Sequence, residues 1–310
     1  MTREQTSASD WLFLVVPGVI WGASYLFIAE GLRAIGPNGV TFVRILIGFA
    51  TLALFPATWR PIPRRDWGAA ALLGVVWFAF PLSMFPHAEE RVSSALTGML
   101  NGATPLFVAI VTSALSRRLP SRGVATGLGV GLIGAVLIAV PSMNEGRSSM
   151  VGVLLILAAM VCYGFALSIA HPLEQRYGAL PVIWRAQAVA LAFTAPLGIP
   201  DLLAARWTPA PLLSLIALGA FGTGIAFVMH TIVAGRIGPT RASATAFLIP
   251  GVALTLGVLV RGERVASLSV IGCCVCVAGA WLMRRAQVNP QSRVMYGVRQ
   301  RSTRTALSPR

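Results

Sequence analysis

Seven residues beyond Pro37, in the stretch "PNGVTFVRILIGFATLAL", an arginine interrupts an otherwise apolar run. At ~1.5 Å per residue, Arg44 lies roughly 10 Å into a helix that starts at the proline. A guanidinium at that depth could fork onto a carboxylate or phosphate of a solute. The same side chain could instead snorkel to the interface or bond helix-end carbonyls. Ionisable and polar groups inside apolar helices are costly, which makes them functional candidates. The same rule selects Trp21, Ser24 and Tyr25 in "WGASY", Tyr163, and Gln187, which answers Arg44 in the second half of the chain. It also selects Asn101, Thr104 and Thr245. Ser24 lies one turn from Trp21, so the two share a helix face. This chemistry recognises a solute through indole, hydroxyl, amide and guanidinium groups and does not attack it. The aspartates, Asp10, Asp66 and Asp201, fall at the edges of apolar runs or in loops, and no nucleophile–base pair is evident. His87, His171 and His230 stand toward the ends of such runs. His87 and His230 are the candidates for proton coupling, because imidazole titrates near neutral pH.

Two prolines pose a second problem. Pro105 in "NGATPLFVAIVTSALSRR" and Pro250 in "FLIPGVALTLGVLVRGE" each fall within an apolar run, 145 residues apart. Proline frees a backbone carbonyl one turn earlier, and in lipid that carbonyl must meet a side chain, water or a ligand. A bend that lines a cavity meets the requirement; so does a threonine hydroxyl beside it. The same offset pairs Arg91 with Arg236, Gly127 with Gly272, Val130 with Val275, Gly134 with Gly279, Ala135 with Ala280 and Leu137 with Leu282. Trp21-Gly22 corresponds to Tyr163-Gly164 with a small shift.

The elements that must hold these residues follow from composition. Of 310 residues 56% are hydrophobic and only 11% charged, with mean hydropathy +0.75. A water-soluble domain carries about 25% charged residues, so lipid is the solvent. Ten apolar stretches are long enough to span it as helices: 11–29, 37–58, 67–86, 94–115, 123–140, 151–170, 181–199, 211–233, 240–260 and 268–283. They lack the alternation of barrel strands. The first is expected to be retained, since Asp10 abuts it and no cleavage site follows. All 25 basic residues are arginine. Arg3, Arg60, Arg64, Arg65, Arg117, Arg118, Arg122, Arg176, Arg236, Arg241, Arg284 and Arg285 fall on one side. Arg33, Arg91, Arg147, Arg206, Arg261 and Arg264 fall on the other. The positive-inside rule places both termini in the cytoplasm, and topology accounts for the +15 net charge without nucleic acid. Cys162, Cys273, Cys274 and Cys276 lie within spans, so neither a disulfide framework nor a metal site is expected. The glycines of GxxxG spacing, Gly18 and Gly22, and Gly123, Gly127 and Gly131, suit close helix packing. Glu89 and Glu90 precede the fourth span, where negative charge suits a helix start and can pair with Arg91.

Five spans per half is an odd number, so the second half enters the membrane inverted. Inverted repeats of this kind build secondary transporters, with the solute near the midplane. "WGASYLFIAEGL", "ERVSSALTGMLNGATPLFVAIV" and "GPTRASATAFLIPGVALTLGVLVRGE" resemble the EamA domains of the drug/metabolite transporter superfamily. In this sequence Phe247 replaces a frequent tyrosine, Arg261 replaces the leucine of the closing "LGE", and Arg117-Arg118 stand where the second half has Gly262-Glu263. The resemblance implies ten helices around a central cavity that moves small metabolites, amino acids or drugs, often outward. The expectation is an all-α integral membrane protein of two inverted five-helix EamA repeats, at 11–140 and 150–284, and a disordered basic cytoplasmic tail at 286–310. It would be a multi-pass protein of the plasma (inner) membrane, monomer or homodimer. Its partners would be a small-molecule substrate and the lipid bilayer, with no cofactor. No ATP-binding loop is present, so transport would be secondary, by alternating access, with Pro105 and Pro250 bending helices beside the cavity. A membrane scaffold or sensor is the alternative, and a membrane-embedded enzyme a further one.

Overall fold

The computed structural model describes residues 8–143, 146–237 and 242–288, and every regular element among them is helical. The first half comprises α1 (Ala8–Gly31), α2 (Pro37–Ala53), α3 (Arg64–Glu89), α4 (Ser94–Asn101), α5 (Thr104–Ser116) and α6 (Arg122–Met143). The second comprises α7 (Arg147–Tyr177), α8 (Ala179–Leu203), α9 (Pro209–Val233), α10 (Leu248–Arg261), which a 3₁₀ turn at Ser243–Phe247 precedes, and α11 (Ser267–Val288). Seven of these helices are long and apolar enough to cross a membrane. The pair α4–α5, bent by 41°, forms an eighth candidate; α2 and the apolar stretch Thr245–Arg261 are shorter. Residue 240, where the ninth expected span begins, and the expected tail from residue 289 onward lie outside the described residues. Leu46, Ile133, Leu197, Leu213, Leu259 and Ile271 are exposed on the helix exteriors, the pattern of a bundle whose outer solvent is lipid.

Three backbone irregularities shape the interior. In α3, residues Gly74–Ala79 form a π segment. Pro81 cannot bond the carbonyl of Trp77, and widening the turn absorbs the misfit. A π segment also occupies Leu218–Ile225 of α9, and the repeat offset carries Gly74 onto Gly219. Each glycine marks a helix crossing. A methyl at Gly219 would sit 3.0 Å from the Arg44 carbonyl of α2. One at Gly74 would sit 2.5 Å from the Ala186 carbonyl of α8.

Pro86 lies within the last turns of α3, where the sequence ended the span. It releases the carbonyl of Leu82, and Thr41 of α2 donates its hydroxyl to that oxygen at 3.2 Å. The helix therefore continues past the proline and carries Glu89 inward.

The third irregularity involves the paired breaks. Pro105 stands in the first turn of α5 and Pro250 in the first turn of α10. Proline is tolerated there because its missing N–H would have had no helical partner. At the first, α4 stops and α5 restarts; at the second, the 3₁₀ turn Ser243–Phe247 runs directly into α10, and neither proline sits mid-helix. The two breaks meet, since a methyl on Gly102 would touch the Pro250 ring at 3.0 Å. The ends also correspond: α5 closes on Arg117 at φ +51° and α10 on Gly262 at φ +66°, both left-handed.

Helices α6 and α11 run antiparallel with their backbones in contact. A methyl at Gly272 would lie 2.7 Å from the Ile138 nitrogen, and one at Gly127 2.7 Å from the Met283 Cα. Gly134 faces Cys276, and Gly279 faces Gly131. Gly18 and Gly22 likewise admit Leu248 and Val252 of α10 against α1. These glycines are therefore packing devices inside one chain.

Glu263 has a defined structural role. Its carboxylate accepts from the Ser94 and Ala95 amides at 3.1 and 2.8 Å, from the Ser94 hydroxyl at 2.7 Å, and from Arg261 Nε at 3.1 Å. It thus occupies the N-terminus of α4, the place the sequence reading gave to Glu89 and Glu90. Glu90 pairs with Arg91 at 3.2 Å, while Glu89 is the last residue of α3.

Two stability predictions follow from these contacts. Gly279→Ala drives a methyl into the backbone of Gly131 and is expected to cost about 1–3 kcal/mol. Gly129→Ala, which meets open space, is expected to leave the melting temperature of the detergent-purified protein unchanged or slightly raised. Glu263→Ala is expected to cost about 2 kcal/mol as a lost helix cap, with Glu263→Gln recovering part of it in the same thermal-unfolding assay.

Candidate functional site

In a π segment the i to i−4 register gives way to i to i−5, and a carbonyl keeps a second lone pair that can accept from elsewhere. In α9 two carbonyls of the segment accept from side chains singled out in the sequence. Trp21 Nε1 donates to the Gly222 carbonyl at 3.0 Å. Gln187 Nε2 donates to the Thr223 carbonyl at 3.1 Å. Arg44 Nε donates to the Thr223 hydroxyl at 3.3 Å, and that hydroxyl donates in turn to the Leu218 carbonyl at 3.3 Å. Arg44, Gln187 and Thr223 are all buried. Residues from α1, α2 and α8 therefore converge on Gly222-Thr223. Gly48 of α2 makes the approach feasible, since a methyl there would strike Thr223 Cβ at 2.7 Å. Ser24 faces the same turn: its Oγ would lie 3.0 Å from a methyl on Gly222. Its hydroxyl is donated to the Ile20 carbonyl of its own helix, at 3.0 Å.

Beside this locus runs an aromatic row. The Tyr25 ring lies 5.8 Å from that of Phe85, and Phe85 lies 6.1 Å from Tyr163. Leu82, Phe85 and Glu89 occupy one face of α3 at helical spacing. Tyr25, Tyr163 and Glu89 are all Coulombic neighbours of Arg44. Both Glu89 carboxylate oxygens are shut off from solvent, without a hydrogen-bond partner among the described residues. Arg44, for its part, forms no ion pair within 4.0 Å among them.

The remaining candidates, apart from His230, make their contacts elsewhere. Thr104 donates its hydroxyl to the Asn101 carbonyl at 2.7 Å, with the Asn101 side-chain oxygen at 3.0 Å. Asn101 ends α4, so its carbonyl has no helical donor and the Thr104 hydroxyl satisfies it at the break itself. Thr245 donates to the Leu14 carbonyl at 3.1 Å and ties the second break to α1. Pro250 is buried against Gly102. The His230 ring lies 5.2 Å from that of Trp21, tilted by 57°, with its Nδ1 buried and unpartnered among the described residues. His87 stands at the other end of the bundle, its Nδ1 3.8 Å from Glu90 and its carbonyl accepting from Arg91. A cleft of about 320 Å³ opens at that same end, lined by residues that include Arg33, Glu90, Asp201 and Arg206. None of the candidate residues lines it.

Two residues of the cluster escaped the sequence reading. Thr223 is a hydroxyl deep in an apolar span, within "GAFGTGIAF", and the rule that selected Thr104 applies to it equally. Glu89 was placed outside the third span because Pro86 looked like a terminus. The signal that could have found it is Thr41, a hydroxyl able to take the freed carbonyl.

The chain is similar to known membrane transporters along most of its length. It is 27% identical over 277 residues to a Streptantibioticus cattleyicolor protein named probable terminal-alkyne amino-acid exporter, covering 88% of this chain and 92% of that one. It is 28% identical over 268 residues to the uncharacterized transporter YdfC of Bacillus subtilis, covering 84% and 86%. It is also 28% identical over 265 residues to the uncharacterized inner membrane transporter YedA of Escherichia coli K12, covering 81% and 82%. A solved crystal structure superposes with a TM-score of 0.62 at 17% identity, covering 90% of this chain and 99% of that one, a likeness of fold alone. The EamA-like transporter family matches residues 10–140 and again 150–285. This multi-pass, all-helical membrane protein, built of two EamA repeats, belongs to the EamA-like transporter family of the drug/metabolite transporter superfamily.

Proposed function

We propose that the protein is a secondary transporter that exports a small organic metabolite, an amino acid among the first candidates, by alternating access. In this reading α4–α5 and the 243–261 segment are each one broken span. Together with the seven long helices and the short α2, they make ten spans in two inverted halves, with both termini cytoplasmic. The halves are residues 11–140 and 150–284. The end of the bundle that carries Arg33, Arg91 and Arg206 then faces outward.

One observation carries the proposal: Arg44 is buried in the bundle, bonded only through Nε to a hydroxyl, and lacks an ionic partner within 4.0 Å among the described residues. Its terminal amino groups are left for an anionic group of a solute, a carboxylate above all. The similarity to an amino-acid exporter supports the same class of cargo. Trp21, Ser24, Tyr25, Tyr163 and Gln187 would shape the site around it, and Thr223 would hold Arg44 in place. Asn101, Thr104, Thr245, Pro105 and Pro250 would flank it at the crossing of the two breaks. His87 and His230, at opposite ends, are the groups through which a proton gradient would act.

Arg44→Gln is expected to lower flux in proteoliposomes at least tenfold, the loss of one charge-assisted contact being about 1.5–3 kcal/mol, while the melting temperature moves by a few degrees at most. Undiminished flux of amino acids, nucleosides, sugars and cationic drugs alike would remove Arg44 from the site. No wild-type flux for any of that panel would favour a scaffold or sensor. For the orientation, single cysteines replacing Arg206 and Arg118, in a background lacking native cysteines, are to be probed on intact cells. A membrane-impermeant maleimide is expected to label the first and spare the second; the opposite result inverts the topology.

A further inference from the structure

Arg185 falls in the seventh apolar stretch, 181–199, yet takes no part in the site around Thr223. It stands six residues beyond Ala179, where α8 starts, roughly 9 Å along the helix. Its Nη1 donates to the Pro181 carbonyl at 3.1 Å and reaches the Thr58 carbonyl at 3.5 Å. Among the described residues its Nε and Nη2 bond nothing, and no carboxylate lies within 4.0 Å. A cation within an apolar span that meets only neutral oxygens, through one nitrogen, keeps an uncompensated charge. Asp66, at the same end of the bundle, does not compensate it, because the Tyr177 hydroxyl and Arg65 engage that carboxylate. At the opposite end Arg33, Arg91 and Arg261 each hold a carboxylate.

The loop between α2 and α3 completes the patch. Trp59 turns its indole N–H back to the Ala53 carbonyl at 2.9 Å and leaves its ring 58% exposed. That ring lies 4.7 Å from the ring of Trp184, which stacks at 4.7 Å on Phe49 of α2. Arg60 follows Trp59 and is exposed. Each of two touching indoles is thus followed in the chain by an arginine that has no ionic partner within 4.0 Å among the described residues. Exposed tryptophan beside unpaired cations fits the headgroup level of a bilayer, where indole rings settle.

We propose that this patch binds the phosphate of an anionic phospholipid, with Arg185 and Arg60 as its ligands and the Trp59–Trp184 pair against the glycerol and upper acyl chain. Guanidinium groups fork onto phosphate oxygens, and basic pockets between helices on the cytoplasmic side take such headgroups. A soluble phosphate would leave the exposed ring unused; a lipid covers it. The bound phosphate bridges α8, which carries Gln187, and the loop that follows α2, which carries Arg44. The leaflet, the inner one, follows from the orientation proposed above, whereas the binding itself depends neither on that orientation nor on transport.

The test is native mass spectrometry of the delipidated full-length protein in detergent, titrated with dioleoyl phosphatidylglycerol or dioleoyl phosphatidylcholine. Phosphatidylglycerol is expected to bind the wild type at least tenfold more tightly. Arg185→Gln and Arg60→Gln are each expected to weaken it about fivefold and to leave phosphatidylcholine binding unchanged. Arg118→Gln, which alters an exposed arginine elsewhere at this end, is expected to leave both affinities unchanged. Equal affinity of the wild type for the two lipids overturns the proposal. So does an equal loss in Arg118→Gln and Arg185→Gln, which marks diffuse attraction to a basic surface. Displacement of phosphatidylglycerol by millimolar inorganic phosphate also overturns it, in favour of a soluble anion. Should Arg185→Gln fail to yield monodisperse protein, Arg60→Gln decides the matter, and unchanged phosphatidylglycerol affinity in that variant sinks the idea.

Discussion

A carbonyl released inside lipid must find a donor within the protein, and the interior of this bundle is organised around that constraint. Pro86 releases the Leu82 oxygen and Thr41 takes it. The end of α4 leaves the Asn101 oxygen without a helical donor and Thr104 takes it. In the π segment of α9 the Gly222 and Thr223 oxygens accept from Trp21 and Gln187. Each of these bonds but one crosses between helices, so satisfying the backbone also fixes how helices sit against one another. The site around Thr223 is a product of that accounting. Tryptophan and glutamine meet backbone oxygens of α9 there, and arginine meets the Thr223 hydroxyl.

The two repeats share backbone devices more faithfully than side chains. Both third helices carry π segments, both fourth spans break before a proline, and both then end in a left-handed residue. The side chains at these matched places differ. Phe78 stands in the first π segment where Thr223 stands in the second, so only the second presents a hydroxyl to Arg44. Glu263 caps a helix of the opposite repeat, whereas the first repeat has Arg118 at the matched place. Arg117 adopts the left-handed conformation that Gly262 adopts at no steric cost, a conformation that disfavours a β-carbon by roughly 1 kcal/mol. The backbone fold is thus repeated, while the polar side chains it carries differ between the halves.

Apolar length and the offset of 145 residues made the helical membrane class and the doubling legible in the sequence, and the resemblance of its motifs made the family legible. Arg44, Gln187 and Trp21 were legible as well, because polar groups in apolar runs stand out by cost. Their common target was not. A π segment has no composition of its own, and a carbonyl acceptor belongs to the backbone, which sequence reading does not see. The position of Glu89 was hidden for a related reason. Proline reads as a helix end, and only a donor from a different helix, 41 residues away in sequence, allows the chain to continue. Hydrophobic periodicity reports which face is buried; it says nothing about which hydroxyl from elsewhere will reach a broken turn.

The Thr41 hydroxyl joins the structural and chemical sides of the molecule. It also shares its proton with the Pro37 carbonyl at 3.0 Å, so it is anchored to its own helix while it holds α3. Arg44 lies three residues beyond it, on the same side of α2. Glu89 lies seven residues beyond Leu82, two turns along the same face of α3. The Thr41–Leu82 bond therefore sets the register between the helix that carries the buried cation and the helix that carries the buried carboxyl. The bond that lets α3 pass a proline thus also ties the helix that carries Arg44 to the helix that carries Glu89.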